Sequence, residues 1–478
     1  MASYPEIQLF IDGKWRASKE HLPITNPSDE TQIGLLPVAD ESDLDDAVSA
    51  AQRGFAVWSR TAPMERSRII LKASQLLRER QEEIAQSIAQ ELGKPIKQAR
   101  LEVIRGCEFF EWDAAEGQRL YGRVIPSAPG IRYIVVRQPI GCVAAFSPWN
   151  FPMSQPARKI AGALASGCSI ILKPAEETPA GAVHIVRAFE DAGLPPGVLN
   201  LVFGRPAEIS GYLVPKEPIR LVAFTGSTVI GRHLTTLASE NMTPVLMELG
   251  GHAPVIVCDD VDPQAAGVIS ATRKFRNAGQ VCTSPTRFFV HEKLYQPFVE
   301  SFIESTKAIK VGNALDEDTD MGPVAHAGRL EALQSFVDDA VQRNAKVLTG
   351  GLKRSGRGYF FEPTVLTNVP DDALILREEP FGPIAVLNPI DSLQQGIEKA
   401  NSVPYGLASY AFTHSASNVD QLVDGIEAGN LSINTLEASV PETPFGGVKS
   451  SGYGREGGDE GLHHYTVIKN VSHSMKLV

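Results

Sequence analysis

Two hydrophobic periods alternate along the chain, and the points where one gives way to the other outline its elements. Leu44, Ala47, Val48, Ala51 and Phe55 recur at helical spacing behind Ser42, a candidate N-cap, so the pattern predicts a helix over 43–58. A second predicted helix covers 64–92 and stops at Gly93-Lys94-Pro95. From 142 onward short apolar runs take over. CVAAFSP, SIILKP, LNLVFG, IRLVAFTGS and PVIVCDD read as buried strands, with helices predicted over 152–166, 179–193 and 206–213. Strand, helix and strand in repetition imply parallel strands joined by right-handed crossovers, so the fold class is α/β with a doubly wound sheet. After residue 260 the alternation resumes in TRFFVHE, KVLTGG, PIAVLNP, LASYAFT and NLSIN, which predicts a second α/β domain.

One stretch fits neither pattern. YGRVIPSAPGIRYIVVRQP (121–139) holds two β-rich segments around a Pro-Gly turn, with no helix to cover them. An exposed ribbon of this kind needs a partner. Together with the C-terminal HHYTVIKNVSHSM it is expected to form an oligomerisation arm of a homodimer or homotetramer. The expected division is 1–120 with 140–249 as one domain, 250–445 as a second, and 121–139 with 460–478 as the ribbon.

Composition narrows the classes of function. A net charge of −11 argues against nucleic-acid or anionic-membrane surfaces, which need a clustered positive field. No apolar run reaches the ~18 residues of a spanning helix, and the N-terminus shows no basic segment followed by an apolar block. Five cysteines without CxxC spacing point to a reduced, cytoplasmic setting. The ten histidines are dispersed, so no metal site is expected.

The chemistry is sought at strand ends. GxGxxG is absent. FTGSTVIG (224–231) instead leaves a strand, bends at Gly226, offers Ser227 and Thr228 as caps and enters a helix, where backbone N–H groups form an anion site. KPAEETP (173–179) ends another strand with Lys173 and Glu176 three apart; a carboxylate there accepts ribose hydroxyls and repels a 2′-phosphate, which favours NAD over NADP. Taken singly, the first is more simply a plain turn and the second as readily a solvated pair; together they suit a nucleotide crevice.

Cys142, Cys168 and Cys258 sit in apolar runs and Cys107 in a helix, all suited to packing. Cys282 differs, because KFRNAGQVCTSPTRF (274–288) leaves its sulfur little apolar cover. A nucleophile also needs a base and an oxyanion donor. Glu248, between an apolar strand and a double glycine, is a candidate base, with a cap or surface acid as the plainer reading. Asn150, held between prolines in SPWNFP, is a candidate donor or simply a turn former.

PWNFP, FTGST, ELGG, the GQVC loop, EEPFGP (378–383) and PFGGVKSSGYGREG (444–457) occur in this order, and the chain thereby resembles the NAD(P)-dependent aldehyde dehydrogenase superfamily over nearly its whole length. The resemblance implies an NAD-binding domain beside a catalytic domain, with the ribbon pairing subunits. By the same resemblance Cys282 is the nucleophile, Glu248 the base, and Asn150 with the Cys282 N–H the oxyanion hole. It further implies that Lys173 and Glu176 hold the adenosine ribose, Trp149, Gly226 and Ser227 the pyrophosphate region, and Glu379 and Phe381 the nicotinamide side.

Arg158, Arg276 and Ser439 match the carboxylate-binding set of succinate semialdehyde dehydrogenases, and a guanidinium fork suits a carboxylate; structural salt bridges are the plainer reading of the arginines. The expected substrate is a carboxylate-bearing semialdehyde, succinate semialdehyde first. His252 replaces the lysine usual after ELGG, and ELGGHAPVIV with SPTRF is similar to the 2-oxoglutarate semialdehyde branch, which stays open beside a broader aldehyde range. Ser284 stands where some relatives carry a second cysteine, so no disulfide switch is expected. The alternative from another class is a cysteine hydrolase or acyltransferase with His291 as base.

Overall fold

The first helix forms over Glu41–Trp58, and its cap is Asp40 rather than Ser42. Asp40 accepts from the Asp43 N–H at 3.1 Å while Asp43 reaches back to the Asp40 N–H at 3.2 Å, a reciprocal box that satisfies two otherwise unpaired donors at once. The predicted 64–92 helix is two, Pro63–Glu79 and Gln81–Leu92, broken at Arg80 (φ −96, ψ 12). Gly93 ends the second in the left-handed region, φ 76, which a side chain disfavours. This computed structural model describes residues 4–476.

Five parallel strands form the middle of an eight-stranded sheet, in the order Leu199–Leu201, Ser169–Lys173, Cys142–Phe146, Ile219–Thr225 and Val245–Glu248. Short antiparallel strands flank them: the Leu9–Ile11 and Lys14–Arg16 hairpin at one edge, Gly452–Tyr453 at the other. The strand order reverses direction between Cys142–Phe146 and Ile219–Thr225. In open α/β sheets such a reversal opens a crevice beyond the strands' carboxyl ends. The register aligns that edge: Phe146 lies opposite Lys173 and Phe224, and Thr225 opposite Glu248.

The second sheet has seven strands, six of them parallel: Thr364–Thr367, Ile384–Ile390, Arg287–His291, Pro254–Val257, Ala408–Phe412 and Asn430–Ile433. Val245–Glu248 is the last parallel strand of the first sheet, and Pro254–Val257 belongs to the second. The chain therefore changes sheets within 249–253, directly after Glu248.

Three strands form the ribbon. Arg123–Ile125 and Ile131–Pro139 pair as the Pro-Gly turn predicts, and Thr466–Ser474 joins on the open side in unbroken register, Thr466 opposite Pro139 and Ser474 opposite Ile131. A short helix, Glu460–His463, precedes that strand, so the predicted 460–478 segment is not all ribbon; its last two residues lie outside those described. Val124 and Ile468 are 67% and 65% exposed on this sheet. Among the described residues no helix is long and apolar enough to cross a membrane.

Candidate active site

Cys282 sits in the loop between a helix, Pro263–Lys274, and the Arg287–His291 strand. Two residues of that loop, Asn277 (φ 50) and Ala278 (φ 52), adopt left-handed backbone, so the turn is held by its surroundings rather than by local preference. The double glycine after Glu248 packs against this loop. A Cβ on Gly251 would stand 2.6 Å from the Cys282 carbonyl oxygen, and one on Gly250 2.7 Å from Glu379 Oε2. Only glycines let the sheet-changing segment pass so near.

Cys282 keeps part of its surface open to a cavity of about 370 Å³, lined also by Phe109, Phe151, Phe445, Arg158, Arg276 and Ser439. Protein elsewhere around the sulfur pushes the thiol up to about 12; Glu379 and Glu248 add to that shift and Arg158 opposes it. The other four cysteines are buried, as their apolar settings predict.

Asn150 is buried beside the same loop, and its Nδ2 donates to the Gln280 carbonyl at 3.0 Å. An amide nitrogen has two hydrogens. The bond to Gln280 fixes the plane of the group and leaves the second N–H to donate elsewhere. Glu248 is buried too, and among the described residues neither of its carboxylate oxygens has a hydrogen-bond partner. Burial drives its pKa well above the ordinary range; Glu456, itself paired with Lys159 at 2.9 Å, adds to this, while Lys159, Arg158 and Arg455 oppose it. Unpartnered buried carboxylates are costly and occur where something else offsets the cost. Asn150 and Glu248 lie outside the cavity lining.

Arg158 lies between aromatic rings, its guanidinium carbon 3.9 Å from the Phe109 centroid and 4.9 Å from Phe445. Its Nη2 donates to Ser439 Oγ, whereas its buried Nη1 has no partner among the described residues. Arg276 stands over Phe151 at 5.6 Å, and burial, with Arg273 next in effect, lowers its pKa to about 10. It has no ion-pair partner among the described residues. The salt-bridge reading therefore fails for this pair, and applies instead to two arginines that sequence reasoning missed. Arg105 and Arg273 also line the cavity, and both reach Glu437, at 3.5 and 3.3 Å. On the helix Ile96–Glu116, Phe109 lines the cavity, whereas Phe110 is wholly buried and Trp112 Nε1 donates to the Gly458 carbonyl at 3.1 Å.

At the sheet's carboxyl edge Lys173 is buried and pairs at 2.7 Å with Glu176, whose side chain keeps part of its surface in solvent. Ser227 alone caps the helix Thr228–Ser239, accepting from the Ile230 N–H at 3.4 Å; Thr228 is its first residue and donates to the Ser450 carbonyl at 3.0 Å. The Gly226 N–H donates to the Glu248 carbonyl at 3.0 Å. Trp149 meets Phe381 edge-on at 5.4 Å, and Phe381 holds a left-handed φ of 44. Burial pushes Glu379 up to about 8.

A dinucleotide fits this edge. Among the described residues Ser147 Oγ and Thr225 Oγ1 are buried without partners at the ends of neighbouring strands, and Val229, in the first turn of the capped helix, is 74% exposed. His291, in contrast, lies at the far end of its strand, roughly 13 Å along it from Arg287 at 3.3 Å per residue. Its Nδ1 caps the next helix, so it is no base for Cys282. His252 is buried, its Nε2 2.9 Å from the Ile375 carbonyl oxygen, away from the cavity lining.

The sequence pattern described as "Aldehyde dehydrogenase family" matches residues 15–471. The 4-(hydroxymethyl)benzenesulfonate dehydrogenase TsaD1 of Comamonas testosteroni is 44% identical over 465 residues, 97% of each chain. The crystal structure of succinate-semialdehyde dehydrogenase from Burkholderia pseudomallei superposes with a TM-score of 0.96 at 36% identity, covering 98% of both chains. That of an E. coli NADP dependent enzyme gives 0.97 at 36%, with 98% of both covered.

Proposed function

This chain belongs to the aldehyde dehydrogenase family, and from that premise we propose that it oxidises an aldehyde bearing an anionic group at its far end, with Cys282 as nucleophile. The carrying observation is Arg158, which lines the cavity of the thiol together with Arg276 and whose buried Nη1 has no partner among the described residues. A desolvated guanidinium with a free N–H suits an anion, since charge-assisted bonds are the strong ones.

Cys282, deprotonated, adds to the aldehyde carbon. The resulting oxyanion accepts from the free N–H of Asn150 Nδ2 and from the Cys282 N–H. Bound dinucleotide supplies the hydride acceptor. Loss of hydride leaves a thioester on Cys282, and Glu248 takes a proton from the water that hydrolyses it. Splitting one oxidation into capture and release lowers each barrier. Lys173 and Glu176 would hold the adenosine ribose, Trp149, Gly226 and Ser227 the pyrophosphate, and Glu379 with Phe381 the nicotinamide side. Glu176 favours NAD over NADP by repelling a 2′-phosphate. The three-stranded ribbon pairs subunits, and the unpaired thiols suit the reduced cytoplasm.

Succinate semialdehyde is the first substrate, followed by 2-oxoglutarate semialdehyde. A larger aryl aldehyde carrying an anion is a second reading, favoured by three phenylalanines in a cavity of about 370 Å³, roomy for four carbons. The test is NADH or NADPH formation from both semialdehydes, 4-formylbenzenesulfonate and uncharged butanal, on wild type and Arg276→Ala. A lost charged contact is worth about 1.5–3 kcal/mol, so kcat/KM for the anionic aldehydes should fall roughly 10- to 150-fold. That for butanal should barely move. Butanal matching the acids on wild type would remove the anion from the reading.

The ribbon gives a separate expectation. Wild type should elute as a dimer or tetramer across a concentration series, and Ile468→Asp, which places a charge on the exposed apolar sheet, should shift it toward smaller species. Monomer at every concentration would end the assignment of the arm.

A further inference from the structure

Asn150 is gripped from behind. Its backbone carbonyl accepts from two side chains, Lys94 Nζ at 2.9 Å and Asn277 Nδ2 at 3.1 Å. Lys94 is paired with Glu102, and both side chains are 2% exposed. Glu102 uses its other oxygen on the same segment: Oε1 accepts from the Met153 N–H at 2.9 Å and the Ser154 N–H at 3.3 Å, where the helix Ser154–Ser166 begins. The pair thus holds 150–154 at two places.

The same network reaches the thiol loop. Asn277 Nδ2 also donates to the Gln280 carbonyl at 3.3 Å, the oxygen that receives Asn150 Nδ2. Gln98 Oε1 accepts from the Asn277 N–H at 2.9 Å, fixing a residue in left-handed backbone. Gln98 and Glu102 are one turn apart on a single helix, Ile96–Glu116. One rigid element therefore braces both loops.

Stability does not explain the pair. Replacing a buried ion pair by apolar groups of similar volume is often neutral or stabilising. What this pair has that an apolar pair lacks is its set of donors and acceptors on the 150–154 backbone.

We propose that Lys94 and Glu102 are positioning residues that fix the Asn150 amide against the Cys282 loop. They set the direction of its free N–H through its backbone, from the wall of the cavity that also holds the thiol. The proposal rests on the assignment of Asn150 to the oxyanion. A displacement of about 1 Å at a reacting group costs on the order of 100-fold, so the effect should appear in kcat.

The test is the double variant Lys94→Met/Glu102→Gln, which removes both charges and the donor to Asn150 yet keeps an acceptor for Met153. Relative to wild type, Tm, NAD binding and the rate of Cys282 alkylation by iodoacetamide should hold, while kcat falls about 10- to 100-fold at nearly constant KM. Combined with Asn150→Ala, the double change should add less than about threefold, because it acts through that amide. An unchanged kcat, or the full loss repeated in the Asn150→Ala background, overturns the proposal. If the double variant does not fold, Glu102→Gln alone carries the same cycle, and the same two results decide it. Wild-type activity in Asn150→Ala would instead sink the oxyanion assignment itself, and this proposal with it.

Discussion

Cys282→Ala should lower NADH formation from any aldehyde to background while NAD still protects the protein against heat unfolding. The sulfur lines a cavity of about 370 Å³ instead of filling a core, so its loss leaves no new void among packed side chains. Folding and the nucleotide edge, formed by Lys173, Glu176 and the Ser227-capped helix, should be untouched. Catalysis should not survive, because without the thiol no covalent adduct can form. Loss of a covalent nucleophile has cost another enzyme about 10⁶ in kcat. Binding at one hundred times Kd stabilises a fold by ~2.7 kcal/mol, readily seen as a shift in Tm. Retained turnover would mean a different nucleophile. Loss of the NAD shift together with activity would make Cys282 a packing residue.

The parts of the chain legible in its sequence are those where local pattern and topology coincide. Strand ends at Lys173, Thr225 and Glu248 follow from apolar runs that stop at glycine or proline, and they lie along one sheet edge. Cys282 stands out because its small polar neighbours in the sequence leave its sulfur little apolar cover. What stays hidden depends on contacts between distant positions. Lys94 and Glu102 look like a stop signal and a helix charge; their meaning comes from the backbone at 150–154, far along the chain. Phe109, rather than Phe110 or Trp112, faces the cavity, a choice set by the rotation of one helix about its axis. The short N-terminal strands, Leu9–Ile11 through Gln32–Val38, escape the pattern because Gly13, Pro23, Gly34 and Pro37 interrupt any alternation. Ser42 draws attention away from Asp40 because it stands nearer the first apolar position, Leu44, although the helix already begins at Glu41. Among the described residues Arg276 is free of a carboxylate, as a substrate anchor must be, although Arg105 and Arg273 in the same cavity are not.

Glu248→Gln should separate capture from release. Glutamine keeps the shape of the side chain and cannot accept a proton from water. The first turnover should still deliver a burst approaching one NADH per active site, followed by steady turnover about 10²- to 10⁴-fold slower, the usual worth of a general base. Wild-type turnover at steady state would remove Glu248 from the mechanism. The pH dependence has a fixed sign. Burial raises the Glu248 pKa by disfavouring the carboxylate, so wild-type release should quicken as pH rises and more of the group becomes a base. The variant loses that dependence in the slow phase. Its burst retains the dependence imposed by a thiol pushed up to about 12. Stability moves the opposite way. A carboxyl whose folded pKa is raised contributes fully below its unfolded value, about 4.3, and that contribution is lost as pH climbs through the folded pKa. Glutamine has nothing to lose there, so the Tm of the variant relative to wild type should rise with pH. The group thus becomes more useful to catalysis over the same range in which it becomes more costly to the fold.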